Sequence, residues 1–204
     1  MSVSNLLKRW PQLLQNSRVI TCRRQQHLFF DGDEYRGPYI VRNGLFKVYN
    51  QSEDGRENVL HMFGMGEFLA WVPLFTGEPD YHSTCQCLQN GEVLFLPEEN
   101  LRNLMYADGK LCFELSARTM QYAVRLKQRM NAMLLQNTEE RVLDYFRELG
   151  AVQEPVALPV AKQELAQLLG MKPETLSRVL RHLCDEGRLK RSGDAYTVPV
   201  RLAE

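Results

Sequence analysis

Four polar residues near the C-terminal end of the chain repeat at helical spacing. They are Glu174, Ser177, Arg178 and Arg181. Guanidinium forks, carboxylates and hydroxyls are the groups that bind base edges in the DNA major groove. At about 100° per residue, the apolar residues of the segment fall on the opposite side: Leu176, Val179, Leu180 and Leu183. A helix with these two faces could lie in a major groove with its back against a small domain.

The neighbouring residues predict a helix-turn-helix with a wing. Gly170 can adopt the left-handed conformation that ends a helix, and Pro173 suits the first position of the next one. The segment RLKRSGDAYTV, residues 188–198, predicts two strands joined by a turn at Ser192-Gly193-Asp194. The candidate DNA-contacting residues are Lys172, Glu174, Thr175, Ser177, Arg178, Arg181, Arg188, Lys190 and Arg191.

Charge and composition limit the partners and the compartment. The formal net charge of the 204 residues is zero, but residues 160–191 contain seven basic and four acidic side chains. One copy should therefore bind DNA weakly and with strong salt dependence, and dimerisation would help. The chain has no membrane-length apolar run, no signal-peptide pattern, and five cysteines without a framework spacing. We therefore expect a cytoplasmic protein with reduced thiols and no membrane partner.

Two different patterns precede the DNA-reading segment. Up to about residue 108, short strand candidates alternate with glycine turns, which predicts an antiparallel sandwich or barrel. Residues 110–135 contain neither Gly nor Pro and predict a long helix, and Asn137-Thr138-Glu139-Glu140 is a capping pattern for the next one. The long helix carries an imperfect coiled-coil seam that predicts self-association: Cys112, Leu115, Thr119, Tyr122, Leu126, Arg129 and Met133.

The segments QELAQLLGMKPETLSRVLRHLCDEG, YIVRNGLFKVY and GMGEFLAWVPLFTGEP together resemble the cyclic-AMP receptor protein and fumarate-nitrate reduction regulator (CRP/FNR) superfamily. The resemblance implies an α+β fold. An N-terminal antiparallel β-roll, a cyclic-nucleotide-binding-like jelly roll at residues 1–108, would sense an effector. Residues 109–136 would form a dimerisation helix and residues 137–204 a C-terminal winged helix-turn-helix.

The same resemblance implies a homodimeric bacterial transcription regulator whose partners are double-stranded DNA, a second copy and RNA polymerase. Glu174, Ser177 and Arg178 match the E-x-x-S-R triad of regulators nearer the fumarate-nitrate branch, which read TTGA-type half-sites of a palindromic operator. The sequence alone does not distinguish an activator from a repressor.

The predicted effector region departs from the cyclic-nucleotide pattern. Trp71 stands where cyclic-nucleotide binders of the superfamily carry Glu, and Tyr81-His82 or His82-Ser83 stands where they carry Arg-Ser. Without an Arg between Arg56 and Arg102, a buried cyclic phosphodiester would lack its guanidinium partner. Cyclic AMP is therefore not the expected effector. The candidate pocket residues are Phe68, Trp71, Tyr81, His82, Ser83, Tyr122 and Leu126.

Several other control mechanisms stay open. Analogy slightly favours haem that binds nitric oxide or a related gas, and the candidate ligands are His27, His61, His82, Met62 and Met65. Thiol-redox control, an organic ligand and effector-independent binding are the alternatives, and no metal ligand is assigned. A cupin-like metal enzyme is a remote alternative, because the four histidines do not form the cupin pattern. Because no P-loop or nucleophile elbow occurs either, we do not expect an enzyme.

Overall fold

The computed structural model describes residues 3–152 and 154–199. The chain divides into two compact units, one ending at Val124 and the other beginning at Arg125. No helix in the described part of the chain is long and apolar enough to cross a membrane. The predicted domain bounds after residues 108 and 136 stay a prediction, because the long helix runs through the division between the two units.

The first unit is built on an antiparallel sheet. Its elements, in chain order, are α1 (Val3–Arg9), a 3-10 turn (Pro11–Leu14), β1 (Arg18–Cys22), β2 (His27–Phe29), β3 (Tyr39–Gln51), β4 (Glu57–Phe63), β5 (Phe68–Leu69), α2 (Val72–Thr76), β6 (Thr84–Phe95), α3 (Glu98–Ala107) and α4 (Gly109–Leu135). The strand order is β1-β6-β3-β4, with β2 paired to β6 and β5 paired to β3.

Two glycines let the long central strands β3 and β6 approach closely. A Cβ atom on Gly91 would lie 2.4 Å from the carbonyl oxygen of Asn43, and one on Gly44 would lie 2.7 Å from the Cα of Gly91. Gly44 also has a φ of +85°, which side chains rarely tolerate. The two glycines therefore permit close pairing of β3 and β6 at the centre of the sheet. The apolar core of the unit packs against this sheet.

The second unit consists of short helices and a small sheet. Beyond the end of α4, its elements are α5 (Thr138–Glu148), β7 (Val156–Ala157), α6 (Lys162–Leu168), α7 (Pro173–Asp185), β8 (Lys190–Ser192) and β9 (Ala195–Thr197). The predicted two-stranded wing is present as β8 and β9, and β7 adds a third strand in the order β7-β9-β8. The predicted α+β fold class is confirmed: a β-sheet domain, a long helix and a C-terminal helix-turn-helix with a small wing.

Local sequence explains where the helices of this unit begin and end. The Asn137 side chain accepts hydrogen bonds from the backbone N–H groups of Glu139 and Glu140, and the Asn137 N–H donates to the Glu140 carboxylate, which completes a capping box. Gly170 has a φ of +64° after α6, and Pro173 occupies the first turn of α7. These are the start and stop residues that the sequence pattern indicated.

Candidate nucleic-acid interface and effector region

Helix α7 has the two faces that its sequence predicts. Its apolar residues, Leu176, Val179, Leu180 and Leu183, are buried in the core of the second unit. Its polar residues, Glu174, Ser177, Arg178 and Arg181, are exposed and line an open surface depression together with Pro173. Within the described part of the chain, no hydrogen bond or ion pair engages these four side chains. This group, called the reading face below, is available to an external partner.

Helix α6 and the turn after it hold α7 in place. Leu165 and Ala166 are fully buried against α7, and the Met171 N–H donates to the Ala166 carbonyl at 3.0 Å. Lys172 stands at the N-cap of α7, is exposed and makes no side-chain cap bond, while Thr175 is half-buried. The small Ala166 side chain allows the close approach of the two helices on which the orientation of the reading face depends.

The end of α4 also contacts the helix-turn-helix. The Arg129 guanidinium donates to the Leu168 carbonyl at the C-terminal end of α6. A Cβ atom on Gly170, in the turn before α7, would lie 3.4 Å from the Met133 methyl carbon. Arg129 and Met133, predicted to face a second copy, also contact the turn region of their own chain, and their place in a dimer interface stays a prediction.

The wing residues fall into two groups. Lys190 and Arg191 are exposed on β8, and the Arg191 Nε donates to the Gly193 carbonyl at 2.9 Å. Arg188, predicted as a phosphate contact, has its Nη1 2.6 Å from Glu139 Oε2 and 3.3 Å from Glu186 Oε2. Hydrogen bonds to these two carboxylates raise the pKa of Arg188. Its guanidinium is therefore engaged within the unit, whereas Lys190 and Arg191 remain accessible.

Two predicted effector-pocket residues are core groups of the first unit. Trp71 is buried, donates from Nε1 to the Tyr39 carbonyl at 3.2 Å, and packs edge to face on Phe68. The buried Tyr81 hydroxyl donates to the Gly37 carbonyl at 2.8 Å, and its ring stacks on Phe29. Burial raises the pKa of Tyr81. The polar groups of both side chains are thus already satisfied by the protein backbone.

The remaining pocket candidates lie in other settings. His82 is exposed, with its Nε2 3.0 Å from Glu78 Oε2, and Ser83 is half-buried nearby in sequence. The Tyr122 ring packs on Phe63, with ring centroids 5.8 Å apart. Leu126 belongs to the second unit and is more than a third exposed. Among the seven predicted residues, Phe68 and Trp71 are in direct contact, and a pocket formed by all seven stays a prediction.

The sequence did not predict the carboxylate neighbours of two polar residues in the sheet. Lys47 is buried on β3, forms an ion pair with Glu57 on β4, and has its Nζ 4.6 Å from the centroid of the Tyr49 ring. The His61 Nε2 is buried without a hydrogen-bond partner and lies 3.6 Å from Glu67 Oε1. A Lys in a strand is normally expected on the solvent side. The burial of Lys47 depends on Glu57 in the neighbouring strand, which no local sequence pattern indicates.

The candidate haem ligands have other neighbours. The Nε2 atoms of His27, His61 and His82 face the Tyr49 hydroxyl and the carboxylates of Glu67 and Glu78, respectively. Of the two candidate methionines, Met65 is 78% exposed and Met62 is half-buried. A haem ligand needs a free imidazole nitrogen or thioether directed into an apolar pocket. His82 and Met65 are exposed and the His27 imidazole is bonded to Tyr49, so these three do not meet that requirement, whereas the buried His61 Nε2 has no hydrogen-bond partner.

The cysteine thiols are mostly buried. Cys22, Cys85 and Cys87 are buried in the first unit, and Cys112 and Cys184 are half-buried. Burial raises the pKa of Cys22 and Cys85, and it raises the pKa of Cys87 to about 11. Because the thiolate is the reactive form, these positions are poorly suited to sensing oxidants.

In its N-terminal half, the exposed apolar stripe of α4 differs in phase from the predicted seam. Leu115 is fully buried in its own unit, and Thr119 donates from its hydroxyl to the Leu115 carbonyl. Four large exposed apolar residues lie two residues earlier in the heptad, at Phe113, Met120, Val124 and Leu134. The other exposed apolar residues of α4 are Leu126, Met130, Met133 and Leu135, of which Leu126 and Met133 belong to the predicted seam. The predicted seam residues of the first unit thus form the face of α4 that packs on its own domain.

Two family models match the chain, one in each half. The family model for the cyclic nucleotide-binding domain matches residues 19–108, and that for the Crp-like helix-turn-helix domain matches residues 128–201. The fumarate and nitrate reduction regulatory protein of Vibrio cholerae is 28% identical over 189 residues, which is 89% of this chain and 71% of the relative. That of Klebsiella oxytoca is 27% identical over 186 residues, 86% of this chain and 72% of the relative. The structure of FixK2 from Bradyrhizobium japonicum superposes with a TM-score of 0.80 at 20% identity, covering 89% of this chain and 92% of that one.

Proposed function

The chain belongs to the CRP/FNR family of DNA-binding transcription regulators, and from that premise we propose that it acts as a homodimer on a palindromic operator with TTGA-type half-sites. The family consists of transcription factors and not of enzymes. The observation that carries the proposal is the reading face of α7, whose four exposed polar side chains have no partner among the described residues. Their buried apolar counterparts anchor the helix from behind.

The side chains of the reading face suit particular base edges. Arg178 can donate in bidentate fashion to O6 and N7 of guanine, and Glu174 can accept from the amino group of cytosine. Ser177, between them on the helix, can contact thymine. These three residues, in the E-x-x-S-R arrangement, support a TTGA-type half-site.

A second group of residues is suited to the DNA backbone. The exposed cations Lys190 and Arg191 on the wing, with Lys172 at the start of α7, can contact phosphates, and Thr175 and Arg181 extend the surface along the helix. Arg188 is not assigned to DNA, because its guanidinium already binds Glu139 and Glu186. The contacts that position the protein thus flank those that would read the sequence.

Dimerisation is assigned to the exposed face of α4. Heptad spacing predicts a seam of Phe113, Ala117, Met120, Val124, Lys127, Asn131 and Leu134, called the exposed seam below. Phe113 and Leu134 are more than three-quarters exposed in the single chain, and Met120 and Val124 more than half. Apolar side chains at coiled-coil spacing are stabilised by burial against a second copy. A dimer would present two reading faces to the two half-sites of a palindrome.

The proposed regulator does not respond to cyclic AMP. Trp71, at the position expected for the ribose-binding Glu, is buried with its N–H bonded to Tyr39. Tyr81 and His82, at the positions expected for the Arg-Ser pair, are bonded to Gly37 and paired with Glu78. The position of the Arg-Ser pair therefore offers no guanidinium to compensate for burial of a phosphodiester. The Arg118 guanidinium, 5.0 Å from the centroid of the Phe68 ring, is already paired with Glu114 at 3.1 Å. Burial and the raised pKa values of Cys22, Cys85 and Cys87 do not favour a thiol-redox switch in the first unit.

The decisive experiment measures which base pairs Arg178 reads. Fluorescence anisotropy with a duplex carrying the TTGA palindrome, and with each single base-pair change, should show that Arg178→Ala costs about 1–3 kcal/mol at the guanine and relaxes discrimination there. The matched control is Lys190→Ala, which should weaken all duplexes about equally and reduce the salt slope by about 1. Cyclic AMP should leave the wild-type affinity unchanged. If Arg178→Ala weakens every duplex equally, Arg178 is a phosphate contact and the half-site assignment is wrong.

A further inference from the structure

We propose that Glu139, His182 and Glu186 form a binding site for a divalent transition-metal ion, with zinc as the fitting ion. This trio, called the Glu-His-Glu cluster below, is separate from the reading face and from the effector region. One ligand atom from each residue lies within 4.8 Å of the other two. The inference concerns metal binding alone and does not depend on the proposed operator.

The two distances from the histidine to the carboxylates match the geometry of a zinc site. The His182 Nε2 lies 3.4 Å from Glu139 Oε1 and 3.4 Å from Glu186 Oε1. Zinc binds imidazole nitrogen and carboxylate oxygen at about 2.0–2.2 Å in a tetrahedral arrangement, which separates neighbouring ligand atoms by roughly 3.3–3.5 Å. The three side chains are partly exposed, between 28% and 54%, so water can supply the fourth ligand.

Local structure explains why the three ligands converge. His182 lies on the last turn of α7 and Glu186 is the C-cap residue four positions later, still in helical conformation, so both are on the same flank of the helix. Glu139 comes from the first turn of α5, where its backbone N–H is fixed by the Asn137 cap. A metal ion bound here would join the beginning of α5 to the end of α7, two segments that are 43 or more residues apart in sequence.

Arg188 orients the carboxylates without occupying the ligand positions. Its Nη1 binds the Oε2 atoms of Glu139 and Glu186, which leaves both Oε1 atoms facing His182. Partners of this outer kind fix the direction of metal ligands and raise metal affinity. With a neutral imidazole, two carboxylates and one guanidinium leave one net negative charge, so a dication is attracted to the cluster.

Zinc binding to the purified full-length chain, stripped with a chelator, tests this site. Calorimetric titration with zinc should give one ion per chain, and cobalt(II) should give the absorption of a tetrahedral site with nitrogen and oxygen ligands. His182→Ala should weaken zinc binding by at least about tenfold, because even outer-sphere partners contribute that much. Glu186→Gln, which changes few atoms, should do the same while circular dichroism shows an unchanged fold.

The chain contains a matched control for this experiment. His82 and Glu78 form another exposed histidine-carboxylate pair four residues apart, with Nε2 3.0 Å from Oε2, but they are not part of a group of three ligands in the described part of the chain. His82→Ala should therefore retain wild-type zinc affinity. Equal zinc affinity for His182→Ala, Glu186→Gln and the wild type would overturn the site. Because no DNA is used, that result would not bear on operator reading.

Discussion

At the scale of single residues, burial decides which cysteines can react. Cys87 is buried on β6 and its pKa is raised to about 11, whereas Cys184 in the second unit is only half-buried. Iodoacetamide at neutral pH should therefore alkylate Cys184 before Cys87, as measured by peptide mass spectrometry. Unfolding the chain in guanidinium should remove the difference. Early alkylation of Cys87 in the folded protein would instead make thiol control a serious alternative.

The same scale shows which parts of the candidate site were predictable. Exposure of Glu174 and Arg178 follows from helical periodicity alone, because a single helix with one apolar face determines its opposite face. The engagement of Arg188 depends on Glu139, 49 residues away in sequence. No local pattern contains that pairing. The hydrogen bond from Trp71 to Tyr39 is hidden for the same reason, since it joins residues 32 positions apart.

At the scale of secondary structure, the helices of the second unit differ in how they are capped. Asn137 caps α5 with two hydrogen bonds of 3.0 Å, whereas α6 begins after Ala161, which has the extended conformation of an N-cap but no side-chain oxygen. Asn137→Ala should lower the free energy of unfolding by about 1 kcal/mol, and Ala161→Ser should raise it by a similar amount.

These two changes are best followed by urea unfolding monitored with far-UV circular dichroism. Both tryptophans, Trp10 and Trp71, lie in the first unit, so their fluorescence would report poorly on the second. Asn131→Ala, an exposed position inside α4 rather than at a helix start, is the control for removing an Asn side chain. The two cap variants should change the free energy of unfolding in opposite directions. Changes in the same direction would contradict the role assigned to the caps.

The helix starts were predictable because capping signals are local, but the phase of α4 was not. Its seam and its domain-facing side both carry apolar residues at spacings of three and four, so periodicity alone does not say which side packs on the sheet. Contact of Tyr122 with Phe63, which comes from a distant strand, resolves the ambiguity. Strand β7 was missed because its two residues are recognisable only through pairing with β9, about 40 residues later.

At the scale of the whole molecule, function depends on whether two chains associate through the exposed seam. Val124 is 54% exposed in the single chain and occupies a central position of the seam. Val124→Glu would place an uncompensated charge in the interface, which costs about 3 kcal/mol or more and raises the dimer dissociation constant more than about a hundredfold. Sedimentation velocity should then show monomers at concentrations where the wild type is dimeric.

Val19→Glu provides the matched control, because Val19 on β1 is 46% exposed and lies outside α4. It should remain dimeric, which separates loss of the seam from a general effect of adding a carboxylate.

The operator binding of Val124→Glu should weaken in step with its dimerisation, since one reading face contacts only one half-site. Lys127 and Asn131 interrupt the apolar seam, and polar residues at such positions select the register of a coiled coil while lowering its stability. If the Val124→Glu chain stays dimeric, the interface lies on another surface and the assignment of dimerisation to the exposed seam is wrong.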